Sequence, residues 1–254
     1  MWSGTIGARP DSASYGWRAD WVFTDRLGGV SQEEYASLNL AAHVGDASAD
    51  VAANRQHVAE ALGTPSVKLA VIDAEHGNTV HEVTEEAITP AGKCDGLVTK
   101  SAGIALVALA ADCTPIVLAD IKNAVVGVVH CGWRGIVAGI VPATIDKMLG
   151  LGATVSSISA VVGPSICADC YQVDSDCAEQ LMAVVPTAAR RASSGHWHAD
   201  VGGSTCSLLE RAGVAFTRID ECTFTNPNLF SYRRDHVTGR QGATIVLRSN
   251  SVAS

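Results

Sequence analysis

The hydrophobic pattern divides the chain into short strands and a few amphipathic helices. Ala19 to Thr24 (ADWVFT) alternates apolar and polar positions, the period of a half-buried strand. Val67 to Ile72 predicts a strand that runs into the loop Glu75 to Asn78 (EHGN), and Val80 to Val83 returns from it. Leu97 to Thr99 and Ile104 to Leu109 read as two more. Ile116 to Ala119 and Ala124 to His130 are continuous apolar runs, which implies burial on both faces. Their connection, Asp120 to Asn123, is short enough to force an antiparallel pair. Ile158 to Val162 and Ala243 to Leu247 complete the strands.

Helices follow from the 3.6-residue period. Val51 to Leu62 starts behind Asp50, a capping residue, and stops at Gly63 and Pro65. Ile136 to Leu149 carries apolar residues at helical spacing, with Pro142 inside as a kink. Ser175 to Val184 and Asp200 to Ala212 are two further helices, the second with Val201, Thr205, Leu208 and Leu209 on one stripe. Residues 1–18 read as a loose N-terminal segment. Strands and helices mix without strict alternation, so the fold class is α+β: stacked mixed sheets covered by helices, in a single domain over residues 1–254.

Composition narrows the function. Of 254 residues, 47% are hydrophobic, enough for a large core. The formal net charge of −8 argues against broad nucleic-acid binding, although Arg233, Arg234 and Arg240 gather locally and can hold an anion. No apolar run is long enough for a membrane span. Residues 1 to 20 contain Arg9, Asp11, Arg18 and Asp20 and lack the apolar stretch of a secretory signal, so a cytoplasmic protein is expected. Eight cysteines at irregular spacing do not make a disulfide scaffold, and most are expected to be small buried hydrophobes.

Candidate chemistry centres on the stretch Ala110 to Gly135. Cys113 follows a strand, and Thr114-Pro115 imposes an extended exit. His130 ends the returning strand. His76 stands in the isolated EHGN loop, flanked by turn formers. Three strand ends can lie side by side, and one thiolate with two neutral imidazoles is a donor set that suits zinc. Three protein ligands leave a fourth position for water or substrate, and the bound ion can activate either. Each of the three could equally be an ordinary core residue, since no two share a recognised ligand spacing.

Other residues have two readings each. Arg134 can bind an anionic group bidentately, cap a helix C-terminus, or pair with Asp112 or Asp120. Ser231, Tyr232 and Arg233 form a donor-rich turn suited to phosphate or ribose, or a plain basic surface turn. Asp112 can orient a ligand histidine or simply end a strand. Cys167-Ala168-Asp169-Cys170 is a C-x-x-C with no second copy, and His196-Trp197-His198 reads as a surface loop.

The segments SLNLAAHVGD, EHGNTV, CDGLVT, ADCTPIVLAD, VVHCGWRG, VGPSIC and FSYRRDHVTGRQ resemble, in order, the motifs of the multicopper polyphenol oxidoreductase (laccase-like) family. It is also called the peptidoglycan editing factor family and described as a purine nucleoside phosphorylase family. The resemblance runs from about Trp21 to Leu247. It implies a layered α/β/β/α fold and metal ligands at His76, Cys113 and His130. It also places Asn39, His43 and Arg55 near the pocket, where the bland reading of Arg55 is a solvated helix residue. Two departures stand out. Ala74-Glu75 replaces the usual Gln-Val, and Cys131 stands where Ala is common.

The function implied is zinc-dependent phosphorolysis of adenosine, inosine and methylthioadenosine, with hydrolytic deamination of adenosine. Purine nucleosides and phosphate are then the partners, and the protein a monomer or small homo-oligomer. Three alternatives stay open. One is a cell-wall precursor (UDP-MurNAc-amino acid) hydrolase using Cys113 as nucleophile and His130 as base. Another is a copper-dependent polyphenol oxidase. The last is a zinc-stabilised interaction module without catalysis, which an open fourth ligand position argues against.

Overall fold

Ile116, Leu118, Val125 and Val129 pack on one side of a sheet, while Val117, Ala119, Val126 and Val128 pack on the other. The continuous apolar runs are therefore ordinary period-2 strands buried on both faces. The computed structural model describes residues 1–7, 16–62, 68–90 and 92–250. Gly63, Pro65 and Val67, the expected end of one helix and start of one strand, lie outside them.

The chain begins with β1 (Trp2–Ile6), β2 (Trp17–Phe23), α1 (Ser48–Ala61), β3 (Lys68–Val71) and β4 (Val80–Glu82). Then come β5 (Gly96–Thr99), β6 (Ile104–Ala110), β7 (Thr114–Asp120) and β8 (Val125–Cys131). They are followed by α2 (Trp133–Ala138), α3 (Ile140–Gly150), β9 (Ser159–Val162), β10 (Gln172–Val173) and α4 (Ser175–Val184). The last elements are β11 (Ala189–Arg191), β12 (Trp197–Ala199), α5 (Val201–Arg211), β13 (Ala215–Arg218), α6 (Tyr232–Asp235) and β14 (Gln241–Ser249).

Two mixed sheets stack face to face. One has the order β1-β2-β14-β6-β3, the other β13-β9-β7-β8-β5-β4. Phe23, Leu106, Ile245 and Leu247 of the first meet Leu97, Val117, Val126 and Val128 of the second. On the outer face of the second sheet, Ile136, Ile140, Met148, Leu181 and Leu209 of the helices cover Ile116, Leu118 and Val129. On the outer face of the first, Val58 of α1 packs with Leu38, Leu40 and Val107. The order of layers is helix, sheet, sheet, helix.

Several local expectations are corrected. Part of the supposedly loose N-terminal segment is an edge strand: Trp2–Ile6 pairs antiparallel with residues 19–23, and Trp2 and Ile6 pack on the inter-sheet core. Its residues alternate between half-buried and exposed, a pattern too short to stand out in the sequence. The Ile136–Leu149 helix is two helices, broken at Gly139 in the left-handed region (φ 85°). Pro142 does not kink it, because it sits in the first turn of α3, where a missing N–H costs no hydrogen bond. Asp50 is not the cap of α1, which begins two residues earlier with Ala47 at the N-cap. Asp200 does cap α5, accepting from the Gly203 amide at 2.8 Å. His196 is an exposed loop residue as expected, but His198 lies within β12, paired with Gln172 of β10 and Arg190 of β11.

Candidate metal centre

Chain crossings between layers create the site. His76 lies on the connection from β3, in one sheet, to β4, in the other; Cys113 lies on the crossing from β6 to β7. In the β7–β8 ladder Pro115 faces His130, so Cys113 and the end of β8 are neighbours by register. The ligand atoms of His76, Cys113 and His130 all lie within 4.8 Å of one another. The two imidazole rings stand edge to face, 4.8 Å between centroids.

The local backbone is bent to achieve this. His76 has φ 63° and Asp112, next to Cys113, has φ 98°, both unusual for side-chain-bearing residues. Asp95 holds the first bend. Its carboxylate is fully buried and accepts from the amides of His76 (3.0 Å) and Gly77 (2.7 Å). The same carboxylate meets His130 Nδ1 at 2.9 Å. That contact leaves Nε2 for an ion, the arrangement by which a carboxylate fixes the tautomer of a ligand histidine. Burial pushes the Asp95 carboxyl up, but His130 and the two amides outweigh it and hold it below its ordinary value.

Cys113 and His130 stabilise each other as a thiolate and an imidazolium, and an ion bound here would take the place of the imidazolium proton. Burial raises the Cys113 thiol, yet His130 and His76 bring it down to about 6. Burial lowers His130, yet Cys113 and Asp95 raise it to about 9. Space is reserved as well: a Cβ on Gly132 would stand 2.9 Å from Cys113 Sγ and 3.2 Å from His76 Cδ2. A thiolate, two imidazoles and a cradle kept clear by glycine fit a zinc-sized ion.

The three residues border a cavity of about 710 Å³, with Trp133, Arg134, Tyr171, Tyr232, Arg233 and Arg240 around it. Each arginine lies over an aromatic ring: Arg134 over Trp133 at 4.5 Å, Arg233 over Tyr171 at 4.8 Å, Arg240 over Tyr232 at 5.7 Å. Arg134 forms no ion pair among the described residues, because Asp112 and Asp120 are committed elsewhere. It lies in the first turn of α2, so it caps no helix C-terminus. Burial lowers Arg240, while Cys113 and Asp112 favour its charge.

Other sequence candidates take different places. His43 borders this cavity and a smaller one of about 410 Å³ that Arg55 also lines. Arg55 Nε donates to the Leu40 carbonyl at 2.9 Å. Asn39 is fully buried away from the cavity; it donates to Asp46 and accepts from the Arg240 amide. Ser231 is also buried, caps α6 and donates to Asp112. Asp112 does not orient a histidine; that position belongs to Asp95. Asp112 instead accepts from Thr223 Oγ1 (2.6 Å), Ser231 Oγ (2.6 Å) and the Arg233 amide (2.7 Å), tying the C-terminal loop to the Cys113 bend. Glu75 is exposed and accepts from Thr79. Cys131 points into the helical layer and its thiol is pushed up to about 12 by burial.

Sequence reasoning missed Asp95 and Tyr171 as parts of the site, while Arg240, expected only as one of a basic group that can hold an anion, borders the cavity. In the sequence Asp95 stands only inside the CDGLVT segment, with no role of its own, and Tyr171 belongs to no motif.

Together the fold and the convergent donors define a two-sheet sandwich with a cluster of two histidines and a cysteine at the sheet crossings that could hold a metal ion. Residues 20–248 match the family described as multi-copper polyphenol oxidoreductase laccase, and the chain belongs to that family. It is 40% identical over 227 residues to "Purine nucleoside phosphorylase ORF3" of Streptomyces griseus, covering 87% of this chain and 92% of that protein. "Purine nucleoside phosphorylase YlmD" of Bacillus subtilis is 33% identical over 243 residues, with 89% and 87% covered. Among solved structures, Neisseria meningitidis protein NMB0706 superimposes with a TM-score of 0.85 at 30% identity, covering 98% of this chain and 99% of that one. YlmD from Geobacillus stearothermophilus gives 0.82 at 31% identity, with 92% and 93% covered.

Proposed function

We propose that this protein is a zinc-dependent purine nucleoside phosphorylase acting on adenosine, inosine and methylthioadenosine, with adenosine deaminase activity. The observation that carries the reading is the set of three arginine–aromatic pairs around a cavity that ends at His76, Cys113 and His130. Flat aromatic faces suit a purine, and guanidinium groups suit phosphate. The names carried by the relatives support the same reading.

In phosphorolysis a phosphate oxygen bonds to the ribose C1′, the C1′–N9 bond breaks, and the purine leaves with the electron pair and takes a proton. Arg134, Arg233 and Arg240 bind and orient the phosphate. Trp133, Tyr171 and Tyr232 hold the base and exclude water from one side. His76, Cys113 and His130 would hold the zinc, with His130 fixed by Asp95. When bound, the ion would supply Lewis-acid chemistry to a purine or a water.

Phosphate-dependent release of hypoxanthine from inosine, and phosphate-independent release of ammonia from adenosine, test this directly. Full phosphorolysis by a metal-free His76→Ala protein would defeat it. A cysteine-nucleophile hydrolase uses the same Cys113 and His130; its mark is a trapped thioester on Cys113. Copper in place of zinc, as the family description suggests, is read by electron paramagnetic resonance of the isolated protein.

A further inference from the structure

Away from the pocket floor, the sulfurs of Cys167, Cys170 and Cys222 lie within 4.8 Å of one another. Two of them come from one tight turn, closed by the Cys170 amide donating to the Cys167 carbonyl at 3.0 Å. The third comes from a segment more than fifty positions away, brought alongside by the parallel bridge between Ser165 and Cys222. The Thr223 amide donates to the Ser165 carbonyl and locks this approach. All three thiols are partly accessible and none is in a disulfide.

We propose that Cys167, Cys170 and Cys222 form a second metal site, a three-thiolate cage for a thiophilic d10 cation, Cu(I) or Zn(II). Three sulfurs sharing one ion at about 2.3 Å lie about 3.8–4.0 Å apart, in tetrahedral or trigonal geometry. The cluster, within 4.8 Å, reaches that with side-chain shifts of under about 1 Å. Thiolates select such soft cations over Mg(II) or Ca(II). Three sulfurs alone complete a trigonal Cu(I) site, while Zn(II) takes a water as fourth ligand. Each sulfur binds as thiolate, so the thiol protons are released to solvent on uptake.

One thiol is already prepared. The Cys167 amide donates to Cys222 Sγ at 3.3 Å. The cage also sits where a clip has something to hold. Ile166 and Tyr171, on either side of the Cys167–Cys170 turn, border the substrate cavity. Thr223, next to Cys222, donates to Asp112. A cation here fastens the Tyr171 wall to the segment that braces the Cys113 bend.

The inference stands independently of the phosphorylase reading. The test uses reduced full-length His76→Ala/Cys113→Ser protein under nitrogen, dialysed in separate arms against Zn(II) or Cu(I), with metal measured by mass spectrometry. One equivalent bound in either arm, lost more than tenfold in affinity on adding Cys222→Ser, supports the cage. Adding Cys170→Ser instead must weaken uptake in the same way, and circular dichroism of each variant checks that it folds. In the wild-type protein, Cys222→Ser must lower the stoichiometry by one. No uptake in either arm overturns the proposal. So does a Cys167–Cys222 or Cys170–Cys222 disulfide that forms in air and is unaffected by prior incubation with either metal.

Discussion

Asp95 and His130 are joined at 2.9 Å, and the backbone adds a second tie, since the His130 amide donates to the Asp95 carbonyl at 2.8 Å. One residue thus sets both the ring and the main chain of a proposed ligand. It also holds the loop that carries the other histidine.

Asp95→Asn keeps the size of the side chain but places an N–H where amides must donate. Metal affinity is expected to fall roughly 10–100-fold, as for other carboxylates that orient ligand histidines. Competition with a chromophoric chelator measures it, and unchanged affinity would remove Asp95 from the site.

His76→Ala and Cys113→Ala are expected to lose both pocket metal and phosphorolysis. Chelation of the wild-type metal should expose Cys113 to iodoacetamide, and zinc should protect it again. Peptide mapping after alkylation reads the outcome at that one residue.

Gly132 has φ −87°, a conformation open to alanine. Gly132→Ala should therefore fold normally while its methyl group crowds Cys113 and His76. The expected result is roughly tenfold weaker metal binding, the scale of a modest steric insertion. Equal metal affinity with lowered thermal stability would locate the crowding elsewhere.

Arg134 lines the cavity and has no carboxylate partner among the described residues. Arg134→Ala is expected to raise KM for phosphate by about 10-fold or more, the value of a charge-assisted hydrogen bond. KM for inosine should change less. Initial rates at varied phosphate distinguish the two.

Asp120 is buried and accepts from the Lys122, Asn123 and Thr154 amides and from Ser157. Burial raises its carboxyl, but these donors outweigh it and hold it below the usual range. A lowered folded-state pKa stabilises above the unfolded value, about 3.9, and that stability is lost as pH falls through the folded value. Asp120→Asn should cost about 1–3 kcal/mol at pH 7. The gap from wild type should narrow toward pH 3, as thermal melts across that range would reveal.

Period-2 and 3.6-residue patterns were enough to place the central strands and most helices. Cys113 and His130 could be paired from the short β7–β8 connection alone. What sequence could not give was the route between layers. Nothing local says that β3 and β4 belong to different sheets, and that crossing carries His76. Asp95 was hidden for a related reason: its partners lie 18 to 35 positions away. Trp2–Ile6 was missed because a five-residue edge strand has too little pattern to stand above its surroundings.

The strand Gln241–Ser249 lies between β2 and β6, bonded to both. Until it arrives, the strands on either side have open ladders and no common neighbour. The five-stranded sheet therefore cannot be zipped up progressively from β1. Its closure waits on contacts spanning more than two hundred positions, the kind that slow folding and leave sticky edges in the meantime.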